Sequence, residues 1–236
     1  MQELQLPWLP RNRNKQDRER KSFGFGSFRQ IFSGGFLLMM TVYSAERVMS
    51  NKSAMDSPQP QPDSWGNIRT ISAEEFSQFK VWIHGVAGIN LAEHKQALVM
   101  GRLQSRLRHY QLGSYGEYFR LLTSGKYPSE QQIAIDYLTT NETYFFREPK
   151  HFDYLGQQIL PAHKGNRSMR VWSAAGSTGE EAYSIAMILS AFLGEGRWEV
   201  LASDLSSRVL ERAKTGHYAM KLAKNIPREY LLAYCL

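Results

Sequence analysis

The stretch that decides the fold is Met169-Arg170-Val171-Trp172-Ser173-Ala174-Ala175-Gly176-Ser177-Thr178-Gly179-Glu180-Glu181-Ala182-Tyr183-Ser184. Its first six residues read as a strand, with β-favouring Val171 and Trp172 at its centre. Five small residues, Ala175 to Gly179, follow as a turn, and Glu180 opens a helix with an apolar stripe at Ile185, Ile188, Leu189 and Phe192. A strand, a small-residue loop and a helix N-terminus together make a place where backbone N–H groups approach a ligand. The glycines do not form G-x-G-x-x-G, and two glutamates in the first helical turn would repel a pyrophosphate. The loop therefore argues for a cofactor that presents no phosphates. Glu181, three residues after Thr178, also fits a plain capping box.

Outward from this loop, Trp198 to Asp204 reads as a second strand that ends on an acid 23 positions after Glu181. An acid at that place commonly accepts from ribose hydroxyls in Rossmann-like sheets, or else caps the helix expected at Leu205 to Ala213. Before the loop stands Thr140-Asn141-Glu142-Thr143-Tyr144-Phe145-Phe146-Arg147-Glu148-Pro149. Asn141 and Thr143 offer amide and hydroxyl groups and Arg147 a rigid fork of donors, with Phe145, Phe146 and Phe152 as an apolar wall. A helix cap with core aromatics and an ordinary salt bridge at Arg147 is the plainer reading of the same residues.

The preceding segment is helical. Ser72 and Glu75 form a candidate capping box ahead of Phe76, Phe79, Val81 and Trp82, and Gly85 to Gly88 reads as a turn. From Ala92 to Tyr110, Val99, Leu103, Leu107 and Tyr110 share one side at 100° per residue. Lys95, Arg102 and Arg106 lie beside them within about 40° of arc, and Arg108 points elsewhere. Such a basic face is in the first instance a solvated surface, and in the second a docking face for an acidic partner. Tyr115 to Thr123 and Gln131 to Leu138 complete the helices.

The 236 residues carry 29 Lys+Arg against 22 Asp+Glu, a net charge of +7. Basic and acidic residues number nine and six in 1–65, eight and six in 66–140, and twelve and ten in 141–236. No segment is basic enough to call for nucleic acid. The one cysteine excludes a disulfide framework and a cysteine-built metal site, and the six histidines show no close ligand spacing. Residues 1–65 differ in texture. They hold a charged run (Arg11 to Lys21), a Gly/Phe/Ser stretch, an apolar run Phe36 to Val42 far below the roughly 18–20 residues of a membrane span, and a Pro-rich linker Ser57 to Pro62. They are expected to be a mostly disordered extension.

Taken in order, these blocks resemble the CheR family of chemotaxis protein-glutamate O-methyltransferases. Residues 140–149 look like the family's TNxTxFFRE signature and residues 171–184 like its WSAAxSTGEEPYS loop, with Ala182 in place of the usual proline. Ala202-Ser203-Asp204, Val209 to Ala213 and Gly216-His217-Tyr218 are similar to its third block. Lys95 to Tyr110 is similar to its basic helix, with Ser105 where arginine is frequent.

The resemblance implies an α + α/β fold: a small all-helical N-terminal domain (66–140), then a Rossmann-like S-adenosylmethionine-dependent methyltransferase domain (141–236), expected to be incomplete at its C-terminus because the family continues with further strands. It implies methyl transfer to glutamate side chains on the cytoplasmic domains of membrane chemoreceptors by a cytoplasmic monomer, without metal, nucleic acid or membrane insertion. It assigns cofactor contacts to Asn141, Thr143, Arg147, Glu181 and Asp204, a catalytic role to Arg147, and receptor docking to Lys95, Arg102, Arg106 and Arg108. The alternative is a catalytically inactive truncated fragment that acts at most as a docking module.

Overall fold

A computed structural model describes residues 68–163, 168–194 and 198–235, together with the backbone of three short strands in the first 67 residues. It divides into two compact units, Ser44–Thr139 and Met1–Tyr43 with Thr140–Leu236.

The helical unit contains α1 (Ala73–Ala87), α2 (Gln96–His109), α3 (Tyr115–Thr123) and α4 (Pro128–Leu138). The expected capping box forms: Ser72 Oγ accepts the Glu75 N–H and Glu75 returns to the Ser72 N–H. Helix α3 carries a second one, Ser114 with Glu117. Each satisfies backbone donors that a helix start leaves without partners. Gly85 continues α1 rather than opening a turn, and the helix ends at Gly88 in the left-handed conformation. Phe76, Phe79, Ile83, Val99, Leu103, Leu107, Tyr118 and Leu122 form the core. Val81, expected on the apolar face, is 73% exposed, and Ile83 takes the buried place. The two are 200° apart on the helix, so the face centres one residue pair later than the pattern suggested.

The α/β unit begins, in the chain, with strands β1 (Glu3–Gln5), β2 (Ser27–Ile31) and β3 (Leu37–Val42). It resumes with α5 (Pro149–Tyr154), a π-helical turn Leu155–Ile159, α6 (Leu160–Ala162), β4 (Met169–Ser173), α7 (Glu180–Leu193), β5 (Trp198–Asp204), α8 (Ser207–Thr215), β6 (His217–Ala219) and α9 (Arg228–Tyr234). The main sheet has the order β2-β3-β5-β4, with β5 parallel to both β3 and β4, and β1 pairs antiparallel with β6. In the segment expected to be an extension, the apolar run at 37–42 forms β3 and pairs along β5, Val42 opposite Asp204. The charged run at 11–21 and the Pro-rich stretch at 57–62 lie outside the described residues.

Helix α7 is buried on nearly every side from Glu180 to Leu189, which fits a helix packed against the sheet within the core rather than on its surface. Its stripe stops at Leu189, since Phe192 is 50% exposed. No helix among the described residues is long and apolar enough to cross a membrane.

Candidate cofactor site

The carboxyl ends of β4 and β5 lie side by side in a parallel sheet, which brings the loop Ala174–Gly179 next to Asp204. Gly176 N–H donates to the Ser203 carbonyl and Gly179 N–H to the Gly176 carbonyl, closing a tight turn. A Cβ on Gly176 would stand 3.0 Å from the Ala202 side chain. On Gly179, at φ +99°, it would stand 2.7 Å from the Tyr218 hydroxyl and 2.9 Å from Ala213. Gly179 requires glycine for both space and conformation, and at Gly176 a larger residue would crowd Ala202.

Asp204, 9% exposed, ties this turn to the next helix. One carboxylate oxygen accepts the Ser177 N–H at 2.9 Å and the other the Ser206 N–H at 2.9 Å. The sequence offered Asp204 as a ribose acceptor or a helix cap, and the structure shows it organising the backbone on both sides. A carboxylate has about four acceptor positions, so these two bonds leave capacity for a ligand hydroxyl. Ser206, fully buried, has a hydroxyl with no hydrogen-bond partner. A buried polar atom in that state is costly unless something else meets it. An orphaned hydroxyl and an acceptor with spare capacity together fit a ribose-bearing ligand at this edge.

Glu181 does not cap α7. The N-cap is Gly179, without a side-chain bond, and Thr178 Oγ donates instead to Glu180 at 2.5 Å. Glu181 accepts from Ser173 Oγ at 2.7 Å, which holds an exposed carboxylate over the end of β4. That leaves the capping-box reading without its bonds and the ligand reading with a positioned acid.

The junction signature is stapled to the same loop by two serines. Ser177 Oγ donates to the Asn141 carbonyl at 3.0 Å. Ser184 Oγ accepts the Phe146 N–H at 3.0 Å while donating to the Glu180 carbonyl. The staples hold a strained segment: Phe146 and Glu148 have φ of 55° and 57°, and Ser177 has 47°. Non-glycine residues in that region cost roughly 1–3 kcal/mol each and persist where the surroundings hold them. Phe145 is fully buried and anchors the segment. Asn141 is thereby brought to the loop through its main chain, and Thr143 sits half-buried between the two anchors. Arg147 is exposed; its guanidinium donates to the Glu142 carbonyl at 2.6 Å and lies over the Tyr144 ring. It closes its own turn and does not touch the glycine loop.

A cavity of about 560 Å³ is lined by Phe146, Phe152, Ile188, Asn225, Pro227 and Tyr230. It shares no residue with the glycine loop. Among the described residues no three His, Cys, Asp or Glu side chains come together as a metal site.

In the helical unit the expected docking residues divide. Lys95 and Arg108 are exposed. Arg102 donates to the Leu138 and Thr139 carbonyls at the end of α4, where the helix dipole favours a cation. Arg106 makes a two-pronged ion pair with Glu130, at 2.8 and 2.6 Å, and stacks over Tyr110. Glu130, 1% exposed, also accepts from the Tyr118 and Tyr110 hydroxyls. Burial pushes its carboxyl up, but the Arg106 bonds, the Tyr118 hydroxyl and the Arg106 charge outweigh that and hold it below the ordinary value. Burial pushes the Tyr118 phenol well up, and the adjacent Glu130 adds to this.

Residues 74–139 match the family "CheR methyltransferase, all-alpha domain", and residues 141–236 match "CheR methyltransferase, SAM binding domain". The chain belongs to the CheR methyltransferase family. It is 45% identical over 166 residues to the chemotaxis protein methyltransferase of Escherichia coli K12, covering 70% of this chain and 57% of that one. It is 39% identical over 175 residues to chemotaxis protein methyltransferase 2 of Pseudomonas aeruginosa, covering 73% and 62%. With the chemotaxis protein methyltransferase of Borreliella burgdorferi it shares 36% over 174 residues, covering 70% and 62%. The chain thus spans between 57% and 62% of the length of these relatives. The CheR blocks seen in the sequence fall within one or the other matched range, apart from Thr140 between them, and the glycine loop with Asp204 lies in the part matched as the S-adenosylmethionine-binding domain.

Proposed function

We propose that this chain carries the S-adenosylmethionine site and the docking domain of a chemotaxis methyltransferase that esterifies glutamate side chains on the cytoplasmic parts of membrane chemoreceptors. The observation that carries the reading is the assembly at the sheet edge: Asp204 bridging Ser177 and Ser206, beside a glycine cradle and a buried hydroxyl in need of a partner.

When bound, S-adenosylmethionine supplies a methyl group made electrophilic by its sulfonium centre. A glutamate side chain is already ionised near neutral pH, so no protein group has to remove a proton from the nucleophile. The work of this chain is then to position two reactants and to keep water out. Asp204 would accept from ribose hydroxyls, with Ser206 as a second polar contact. Glu181, held by Ser173, would accept from the amino end of the ligand. The missing Cβ at Gly176 and Gly179 lets the turn pack closely on Ala202, Ala213 and Tyr218, which would set the loop backbone beside the ligand. Asn141 and Thr143 stand on the strained segment that borders the loop. Arg147 would orient a carboxylate, of the methionine moiety or of the substrate, after exchanging the Glu142 carbonyl for it.

Docking falls to the helical unit. Lys95 and Arg108 are the expected docking cations that stay exposed, and Arg102 and Arg106 would serve by fixing α2 against α4. The enzyme acts in the cytoplasm as a monomer in this reading.

The test is transfer of label from methyl-labelled S-adenosylmethionine onto receptor-containing membranes. Base-labile label that disappears when the receptor's acceptor glutamates are replaced by alanine is the expected result. Absence of label with a folded, cofactor-bound chain contradicts the transferase reading.

A further inference from the structure

Tyr218 stands outside every role assigned so far. It lies on the short strand β6, is 1% exposed, and donates its hydroxyl to the Thr178 carbonyl at 2.7 Å. The same oxygen would lie 2.7 Å from a Cβ on Gly179. Its ring meets Phe145 edge-on, with centroids 4.9 Å apart, and Tyr183 edge-on at 5.9 Å. One side chain therefore touches the junction segment, the glycine turn and the first turn of α7. Burial, with Tyr183 and Glu180 nearby, pushes the phenol well above its ordinary range, so it stays a hydrogen donor at any working pH.

The other bonds of Thr178 and Gly179 are local: Thr178 Oγ1 donates to Glu180, Gly179 N–H to the Gly176 carbonyl, and Tyr183 N–H to the Gly179 carbonyl. Gly179 is the N-cap of α7 and has no side chain to fix its left-handed turn. Tyr183 makes an instructive contrast. It is equally buried and one turn away, but its hydroxyl donates to the Ala213 carbonyl on α8, not to the loop.

We infer that Tyr218 is a positioning residue for the cofactor loop: its hydroxyl bond to the Thr178 carbonyl sets the Gly176–Gly179 turn in the form that receives S-adenosylmethionine. The inference rests on reading this loop as the cofactor site. Tyr218 touches no ligand in this account. It acts through the loop backbone, in the way that residues behind a binding group fix its geometry.

The test compares Tyr218→Phe with Tyr183→Phe in the full chain. Each variant keeps its ring and loses one buried hydroxyl, so both are expected to fold. Amide hydrogen exchange is followed in peptides covering residues 174–184, and S-adenosylhomocysteine binding is followed by calorimetry. Tyr218→Phe is expected to speed exchange in the loop about tenfold and to weaken binding about tenfold, which the Tyr183→Phe variant does not do. Protection in α2 to α4 stays unchanged in both. Equal exchange in the two variants overturns the inference. If the wild-type chain binds no ligand, the cofactor reading fails by itself, and the exchange comparison still decides whether Tyr218 holds the loop.

Discussion

The two units treat buried polar groups in opposite ways. In the helical unit, Glu130 is closed off: a two-pronged Arg106 bond and two phenol hydroxyls occupy its oxygens. In the α/β unit, Asp204 accepts two backbone N–H groups and Ser206 leaves a buried hydroxyl without a partner. A closed network rigidifies a fold, and an open one keeps hydrogen-bonding capacity in reserve. The same residue types thus form a closed network in one place and one with capacity to spare in the other. What distinguishes them is whether their hydrogen-bonding capacity is used up.

The largest effect should come from opening the closed network. Arg106→Met strands a buried carboxylate, and breaking such a pair typically costs about 3–5 kcal/mol. We expect the protection of α2 and α4 amides to hydrogen exchange to fall by that amount, with the glycine loop unaffected. Replacing Arg108 the same way leaves that protection within about 0.5 kcal/mol, as expected for an exposed side chain. Equal protection in the Arg106 and Arg108 variants would erase the division drawn among the docking residues.

Next in size is Gly179→Ala. The residue must hold φ +99° with three groups within 3.1 Å of the added carbon. We expect at least a tenfold loss of S-adenosylhomocysteine affinity, measured by calorimetry, with the helical unit intact. A smaller effect follows from pH. Glu130 is held below its ordinary value, so its contribution is present above about pH 4.5 and is lost as the pH falls through the folded-state value. Stability of the helical unit, followed by exchange or by unfolding in urea, should drop with acid in that window. Glu130→Gln should flatten that part of the profile.

Much of this architecture was readable beforehand, because it is written in local patterns. Strand β5 was located to the residue and β4 to within one, since alternation and a flanking small-residue turn bound them. Helix α3 and the Ser72 box followed from spacing and capping residues alone. The misses are non-local. Glu130 sits in a first helical turn, where an acid is unremarkable, and only the tertiary approach of Arg106, Tyr110 and Tyr118 makes it a buried partner. Ser173, Ser177 and Ser184 look like small spacers until the fold sets carbonyls and amides opposite their hydroxyls. Strand β3 lies more than 150 residues before β5 in the chain, and no window of sequence joins the two. The resemblance assigned Arg102 and Arg106 to docking, and only the fold shows both bonded within the helical unit.

One isotherm tests the open network at the sheet edge most directly. S-adenosylhomocysteine is titrated into the wild-type chain and into Asp204→Ala. We predict saturable one-to-one binding by the wild type and affinity at least tenfold weaker in the variant. No binding by the folded wild-type chain, or equal affinity in both, would contradict the assignment of this edge as the cofactor site.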